Sequence, residues 1–399
     1  MGAQPQQLTR PRDWSAWRSS APYTVGVEEE VMLLDPRDWS LAQRSDEILP
    51  QLPAGLVAHV SAETHQAAVE LATDPHARVA DAIAQLRSLR VWLGEELARL
   101  GLAAGVAGTH PTAMWTETRV SPASRYQVIQ RTMADLARRE PTFALHVHVG
   151  VPDPDRAIRL LNRLRAHLPL LLALSANSPF WQGRGTGLAS TRTSVFGAFP
   201  RTGIPRRFDS YADWVQTVDT LLRSGAFPEP TFLWWDVRPQ PALGTVEVRV
   251  MDAQTDLDAT AGLVALVQSL ARLEIEDGYV SEELVEAEEV LEENRFIAAR
   301  DGIEADLLDP VAELRRPARA ELRRLLDAVR PHADALGCRD QLERVIGVAL
   351  APAFQRQIDT ADRRGGDLAG VTAELAAAFA PARQRLPRGA TPSARPTGA

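Results

Sequence analysis

The sequence predicts an α+β protein built around a mainly antiparallel sheet. Three stretches alternate apolar and polar residues, as half-buried strands do. They lie far apart and at irregular intervals, whereas a doubly wound parallel sheet needs strands and helices in regular alternation. Helical patterns fill the chain between and after them, so we expect helices to cover the sheet.

The predicted strands are YTVGVEEEVMLLDP (23–36), FALHVHVGVPDP (143–154) and GTVEVRVMD (244–252). The first two end in an Asp-Pro turn signal. Helices are predicted over 155–175, which opens with Asp-Pro-Asp, and over 258–277. The chain that follows, to about residue 380, is mostly helical and charged in pattern.

A further segment, ETHQAAVELATDP (63–75), is considered as a helix. Glu63 and Glu70 are seven residues apart, a spacing that would place both on one helix face after two turns. Solvated glutamates are the ordinary interpretation of such a pair. The apolar neighbours in AAVEL make an exposed position unusual.

The organisation predicted from composition is a single domain over 21–380, between a flexible N-terminal arm (1–20) and a disordered C-terminal tail (381–399). The tail has the Pro, Ser, Gly and Arg bias typical of disorder. No internal repeat or low-complexity linker divides the chain between these ends.

The bulk composition excludes several classes of function. A net charge of −8 and a pI near 5.6 do not provide a basic surface for nucleic acid. No apolar run approaches the ~20 residues that span a bilayer, and the N-terminus lacks a signal-peptide core. The single Cys338 excludes an intrachain disulfide. We therefore predict a cytoplasmic protein with neither nucleic-acid nor membrane partners, and the composition is compatible with a homo-oligomer.

The chain contains no lysine, since every one of its 44 Lys+Arg positions is arginine. This excludes a P-loop lysine, a Schiff-base lysine and a carbamylated-lysine metal bridge. Any phosphate chemistry here must use arginine, metal ions or backbone N–H groups.

Polar pairs recur on the predicted strands. Residues i and i+2 share one face of a strand, which pairs Glu28 with Glu30, His146 with His148, and Glu247 with Arg249. The alternatives are a solvated glutamate face, satisfied core histidines and a cross-strand ion pair. Glu29 falls on the apolar side, where we expect a rim position or an arginine partner.

Together these elements could bring five carboxylates into one cleft: Glu28, Glu30, Glu63, Glu70 and Glu247. So much negative charge cannot stay ionised in a partly buried site without cations. Oxygen-rich ligation favours Mg²⁺ or Mn²⁺, and two such ions would leave positions for the phosphate oxygens of a nucleotide. The pattern predicts ATP-dependent chemistry without a P-loop.

Several long motifs resemble those of the type 2 glutamate–cysteine ligase family, also called carboxylate–amine ligases. They occur in family order over roughly residues 22–302: YTVGVEEEVMLLDP, VELAT, GTHP, RYQ, HVHVG, LSANSPFWQGRGTGLASTR, WWDVRPQPALGTVEVRVMD and NRFIAARDG. The resemblance implies a glutamine-synthetase-like fold, in which a curved, mainly antiparallel sheet forms an active-site funnel flanked by helices. It also implies the reaction: ATP phosphorylates a carboxylate, usually the γ-carboxylate of glutamate, and an amine or amino acid attacks the acyl phosphate.

The resemblance implies metal ligands position by position. Glu28, His146 and Glu247 would hold the nucleotide-side ion. Glu30 and Glu70 would hold the substrate-side ion, with Glu63 as a further ligand. Some relatives carry an acid where this chain has Gln66, so the position of Glu63 is a departure from the pattern.

Further roles follow from the same resemblance. Arg249 would contact the transferring phosphoryl group, and Arg192 and Arg238 would contact phosphate or a substrate carboxylate. His148 would touch phosphate or substrate. A general base stays open among His148, Glu63 and Tyr126, and the glycines of WQGRGTG could form a mobile cover or an ordinary loop.

Three rival functions remain at this point. A metal-dependent amidohydrolase also uses an H-x-H strand, but this chain lacks the lysine bridge, and its further histidines and a catalytic aspartate do not follow in the expected order. A nucleotide- or metal-binding pseudoenzyme would have no need for all the matched charges. Phosphagen-kinase-like chemistry lacks evident guanidino-substrate motifs.

Overall fold

The computed structural model describes residues 14–139 and 141–379. Its main sheet has seven strands in the order β2-β3-β1-β5-β9-β8, with β4 paired to β1, and every pairing is antiparallel. Two further hairpins, β6–β7 and β10–β11, complete the strands of the described chain. The strands are β1 (Val25–Leu34), β2 (Val60–Ala62), β3 (Ala68–Ala72), β4 (Ala103–Gly105), β5 (Ala144–Gly150), β6 (Phe180–Trp181), β7 (Arg184–Gly185), β8 (Val237–Gln240), β9 (Thr245–Asp252), β10 (Asp306–Asp309) and β11 (Leu314–Pro317). The predicted α+β class with a mainly antiparallel sheet is confirmed.

Helices pack outside this sheet and form the C-terminal part of the described chain. They are α1 (Ser45–Ile48), α2 (Ala54–Val57), α3 (Val79–Arg99), α4 (Ser124–Met133), α5 (Pro154–Leu164), α6 (Leu168–Ser175), α7 (Thr191–Phe196), α8 (Tyr211–Arg223), α9 (Leu257–Glu276), α10 (Glu282–Glu286), α11 (Glu288–Asp301), α12 (Ala318–Leu336), α13 (Arg339–Leu350), α14 (Ala353–Arg363) and α15 (Leu368–Phe379). None of the helices in the described ranges is long and apolar enough to cross a membrane.

The three predicted strands are confirmed as β1, β5 and β9. The helical interpretation of 63–75 is wrong. Val69 and Leu71 are buried on either side of the partly exposed Glu70, a period of two, and they form β3 against β1. Glu63 lies in the loop between β2 and β3. Pairing with β1 satisfies the backbone of this short segment, and that outweighs its alanine-rich composition.

The helix predicted over 258–277 is confirmed as α9. The helix predicted over 155–175 is instead two helices, α5 and α6, joined by a 3₁₀ turn at Arg165–His167. Pro169 is the second residue of α6, and a proline cannot donate the i→i−4 hydrogen bond that a continuous helix would need there.

The apolar face of the sheet packs on a helical layer. Val25, Val27 and Val31 of β1 are at most 1% exposed. Helix α9 is buried along nearly its whole length, and it contacts β5 on one side and α12 and α13 on the other. One hydrophobic cluster extends from Val25 to Phe379. The opposite face of the sheet is therefore the one left free to carry polar side chains.

Glu29 has an arginine partner on the apolar side of β1. Arg90 of α3 donates from Nε to Glu29 Oε1 at 2.7 Å and from Nη2 to the other oxygen, and both side chains are almost fully buried. Arg90 also donates to the carbonyl oxygens of Thr255 and Gln254. This pair offsets the cost of placing a carboxylate within the helical layer.

The predicted arm and tail fall largely outside the described residues, which begin at 14 and end at 379. The described part of the arm packs against the domain. Trp14 donates to Asp219 at 3.0 Å, and Trp17 donates to the carbonyl of Val151 at 3.0 Å. Trp14 also contacts the ring of Trp214.

Candidate active site

The antiparallel register brings the predicted site residues together on the free face of the sheet. Directly opposed residues on neighbouring strands share a face, with their Cβ atoms about 5 Å apart. The opposed pairs are Glu28 with His146, Glu30 with Glu70, and His148 with Glu247. A register irregularity between Leu145 and Val147 lies beside His146. Four strands therefore deliver carboxylates and imidazoles to one cleft.

Three groups in this cleft have the geometry of metal-ligand sets. Within each group, one donor atom per residue lies within 4.8 Å of the others. The groups are Glu28–His148–Glu247, Glu28–Glu70–His146 and Glu30–Glu63–Glu70. All six residues that the sequence suggested as metal ligands are members, and His148 joins them.

The two histidines occupy different positions within the cluster. His148 Nε2 lies 3.2 Å from Glu28 Oε1 and 3.9 Å from Glu247 Oε1. His146 is central, because its Nδ1 is 3.3 Å from Glu28 Oε2 and its Nε2 is 3.8 Å from Glu30 Oε1. In the described structure, Nε2 of each histidine is buried without a hydrogen-bond partner. Two buried imidazole nitrogens therefore face carboxylates and lack an aligned donor or acceptor.

The carboxylates at the β3 end of the cleft favour the protonated form. Burial, reinforced by Glu63, raises the pKa of Glu30 to about 8. Burial and the charges of Glu28, Glu63 and Glu30 raise the pKa of Glu70 well above its usual range, and burial raises the pKa of Glu63. These acids would be ionised together at neutral pH only beside added positive charge.

At the β9 end of the cleft, the carboxylates instead favour the ionised form. Burial alone would raise the pKa of Glu247, but Arg238 and Arg249 hold it well below its usual range. The pKa of Glu28 is likewise low despite burial, because the charge of His148 and the close approach of both imidazole rings favour its ionised form. Burial and Arg249 lower the pKa of His146 to about 4, so its ring is neutral at pH 7. Neutral imidazole is the form that binds a metal ion.

The three arginines suggested by the sequence have distinct surroundings. Arg249 donates from Nη1 to Glu247 Oε1, and the same nitrogen lies 3.4 Å from His146 Nδ1. It therefore stands where the two ends of the carboxylate cluster meet.

Arg238 is fully engaged with its neighbours. It donates to Glu247 Oε2 at 2.7 Å, and to the carbonyl oxygens of Thr231 and Leu233 at 3.0 and 2.7 Å. Its contacts fix the Glu247 carboxylate in place. A substrate would have to displace some of these bonds to reach it.

Arg192 lies under β9. It donates to the backbone oxygens of Val250 and Arg249 at 3.1 and 3.2 Å, and it lies 3.8 Å from the buried Asp252. Its Nε is buried and has no hydrogen-bond partner among the described residues. Arg192 also lines the cleft beside Glu30 and Arg249.

The family model described as glutamate–cysteine ligase family 2 matches residues 24–349. The chain belongs to this family. The resemblance seen in its motifs is thereby confirmed, and membership identifies the protein as a ligase of the glutamate–cysteine ligase type.

Two relatives from Rubrobacter xylanophilus, provisionally named glutamate–cysteine ligases 2-3 and 2-1, match nearly whole-length. The first is 40% identical over 367 residues, which is 91% of this chain and 98% of the relative. The second is 38% identical over 360 residues, which is 90% of this chain and 96% of the relative.

Two solved structures share the fold of this family member at 14% sequence identity. A bifunctional glutathione synthetase from Pasteurella multocida gives a TM-score of 0.67 over 90% of this chain and 52% of its own. A glutamate–cysteine ligase from Francisella tularensis, solved in complex with AMP, gives 0.64 over 92% of this chain and 90% of its own. Both likenesses concern the fold alone.

Several residues that line the cleft of this ligase could not be predicted from the sequence patterns. They are Ile129 and Arg125 of α4, Phe196 and Phe199 in and after α7, and Glu229, Thr231 and Trp234 before β8. Arg125 and Trp234 fall within the RYQ and WWDVRPQ motifs, but no spacing rule connects them to the strands. Arg125 forms an ion pair with Glu229 and donates to Thr231 Oγ1 at 2.7 Å.

Tyr126 and the glycine-rich WQGRGTG segment, both suggested by the sequence, also have defined positions in the fold. Tyr126, a candidate base, donates its hydroxyl to the carbonyl of Ala62, and burial raises its pKa above its usual range. It is therefore protonated at neutral pH and acts here as a hydrogen-bond donor. In the WQGRGTG segment, Gly183 and Gly187 have φ near +77° at the β6–β7 hairpin, a conformation that favours glycine. A covering role for this hairpin stays a prediction.

Proposed function

We propose that this family member is an ATP-dependent carboxylate–amine ligase that forms a γ-glutamyl amide through an acyl phosphate. The single observation that carries the proposal is the arrangement of the cleft, in which two carboxylate sets flank one arginine, Arg249. This arrangement suits phosphoryl transfer from a triphosphate to a carboxylate. The names of the relatives supply glutamate as the first choice of carboxylate.

The residues of the cleft fit two divalent cations, Mg²⁺ or Mn²⁺. Carboxylates with raised pKa values and two buried imidazole nitrogens without partners form a donor set that a cation would complete. We assign one ion to Glu28, His148 and Glu247, and the other to Glu30, Glu63 and Glu70. Here His148, 3.2 Å from Glu28 and 3.9 Å from Glu247, replaces His146, the ligand that the resemblance implied. Its charged imidazole would lose a proton when the ion binds, because only the neutral form is a ligand. His146 lies between the two sets. When bound, the ions would neutralise the triphosphate and orient its terminal phosphoryl group.

The protein's own groups would then act by position and charge. An oxygen of the carboxylate attacks the γ-phosphorus, and ADP leaves with the electron pair of the broken P–O bond. The guanidinium of Arg249 faces this transfer and stabilises negative charge on the phosphoryl oxygens. Arg238 is a positioning residue, because it holds Glu247.

The second step forms the amide. The amine lone pair attacks the acyl carbon, phosphate leaves with the C–O electron pair, and the nitrogen loses a proton. The acyl phosphate must be shielded from water until the amine arrives. Buried side chains around the cleft, including His146 and Ile129, favour such exclusion.

The test combines the purified protein, ATP, Mg²⁺, glutamate and hydroxylamine, with ADP and glutamyl hydroxamate measured together. We expect both products from the wild type and neither from Glu247→Gln, whereas the exposed Glu304→Gln should behave as wild type. Absence of hydroxamate with every amino acid tried, in a folded protein that binds nucleotide, would refute the ligase and favour a pseudoenzyme. Amide hydrolysis without ATP would favour the amidohydrolase alternative.

A further inference from the structure

An aromatic wall forms one side of the cleft. Its members, Phe196, Phe199 and Trp234, contact one another in a chain, and the buried Phe232 packs behind Trp234. The ring centroids are 5.8 Å apart between Phe196 and Phe199, 6.1 Å between Phe199 and Trp234, and 5.7 Å between Trp234 and Phe232. These contacts hold the rings in fixed relative positions.

The wall faces the carboxylate set at the β3 end. A cavity of about 80 Å³ is lined by Phe196, Phe199, Trp234 and Ile129, together with Glu30 and Glu63. Phe196 and Trp234 are only half-buried, so part of their ring surface is exposed, while Arg192 and Arg201 lie over the two rings at 5.7 and 5.2 Å. A polar, metal-type site does not itself require this apolar surface.

The cavity lies away from the nucleotide-side set. Among the described residues that line it, none belongs to the Glu28–His148–Glu247 group. Arg249 and His146 do line it, so a molecule seated there would lie next to the transferred phosphoryl group. A position beside the acyl phosphate suits the nitrogen of an incoming amine.

We propose that this cavity takes the acceptor amine, and that the acceptor is a primary amine with an apolar body the size of a phenyl or branched alkyl group. This inference rests on the proposed function. A small polar acceptor such as cysteine would leave most of the ring surface of Phe196 and Trp234 in contact with water. A phenyl-sized body would bury it, and burial of apolar surface is the main source of discrimination between such substrates.

The first experiment compares acceptors on the wild-type ligase. Phosphate release with ATP, Mg²⁺ and glutamate is measured with phenethylamine, isopentylamine, L-phenylalanine, ethylamine and L-cysteine. We expect kcat/KM for at least one of the three bulky acceptors to exceed the values for ethylamine and cysteine by tenfold or more. Equal values, or a preference for cysteine, would overturn the inference.

Hydroxylamine separates this inference from the proposed function. It is too small to need the wall, so hydroxamate formation tests the ligase reaction by itself. If hydroxamate forms but bulky amines are not preferred, the ligase reaction is supported and the proposed class of acceptor is refuted. Absence of both hydroxamate and ADP refutes the ligase, and the acceptor proposal falls with it.

The second experiment uses adjacent tryptophans as a matched pair. Trp234 lines the cavity, whereas Trp235 packs against Phe208 with ring centroids 5.8 Å apart. In Trp234→Leu, the ratio of kcat/KM for phenethylamine to that for ethylamine should fall at least fivefold, and in Trp235→Leu it should stay at the wild-type value. If Trp234→Leu does not fold, Phe196→Leu replaces it. A raised KM for ATP with an unchanged ratio would assign the wall to the nucleotide and overturn the proposal.

Discussion

Replacing Arg238 with methionine should destabilise the protein strongly. Arg238 is 9% exposed, and its partner Glu247 is fully buried. The substitution keeps most of the side-chain volume and removes the bonds to both Glu247 oxygens, at 2.7 and 3.3 Å. It also leaves the carbonyls of Thr231 and Leu233 without this donor.

The expected magnitude follows from these contacts. Breaking a buried ion pair by removing one partner costs about 3–5 kcal/mol. Glu247 keeps two donors, Gln240 at 2.7 Å and Arg249, which moves the expectation toward the lower figure. The two carbonyl groups left without Arg238 each add roughly 1 kcal/mol or less. We therefore expect a loss of about 3–4 kcal/mol in the free energy of unfolding.

Urea unfolding followed by circular dichroism, in EDTA at pH 7, measures this loss. Arg37→Met is the control, because Arg37 pairs with Asp35 at the surface and its side chain is 86% exposed. The control should change the free energy by less than about 0.5 kcal/mol. Adding Glu247→Gln to Arg238→Met should restore part of the stability, because it removes the buried charge. A loss below about 1 kcal/mol for Arg238→Met would refute the positioning role.

Three further outcomes are expected. Glu28→Gln and Glu247→Gln should each lower ADP formation at least about 100-fold, and activity near wild type would remove that residue from the site. In EDTA-treated protein, Mn²⁺ at about 100 times its Kd should add roughly 2.7 kcal/mol of stability in a thermal melt; an equal gain in Glu28→Gln would contradict the ligand assignment. Burial opposes ionisation of Glu274, yet His167 and Arg163 lower its pKa to about 2. Because the folded pKa lies below the unfolded value, the stability advantage of wild type over Glu274→Gln should be complete above about pH 4.5 and vanish as the pH falls toward 2. A stability advantage of wild type over Glu274→Gln that increased as the pH fell would contradict this prediction.

The strand part of the site could be predicted from the sequence because strand periodicity is strictly local. Alternation alone placed Glu28 with Glu30 and His146 with His148 on shared faces, and the sheet then aligned them across strands. The local pattern of residues 63–75 does not reveal β3, because this strand is only five residues long and gains its stability from pairing with β1.

The walls of the cleft could not be predicted for a different reason. Trp234 and Phe199 are joined by ring contacts between segments that no periodicity relates. The different roles of Arg238 and Arg249 also depend on tertiary structure. Arg238 already donates to the backbone carbonyls of Thr231 and Leu233, and no local pattern shows this. Family motifs marked both arginines without separating their roles.

The Glu29–Arg90 pair has a consequence for how the site assembles. Glu28, Glu29 and Glu30 are identical neighbours, so pairing β1 one residue out of alignment would exchange the faces that they occupy. Such a slip would push two carboxylates into the helical layer, where the single guanidinium of Arg90 can satisfy only one. The Glu29–Arg90 pair therefore favours the correct register of β1 from the helical face of the sheet, which does not contact substrates. Removing Arg90 would weaken this discrimination between alignments and leave every residue of the cleft unchanged, while the buried Val25, Val27 and Val31 would still favour the same alignment.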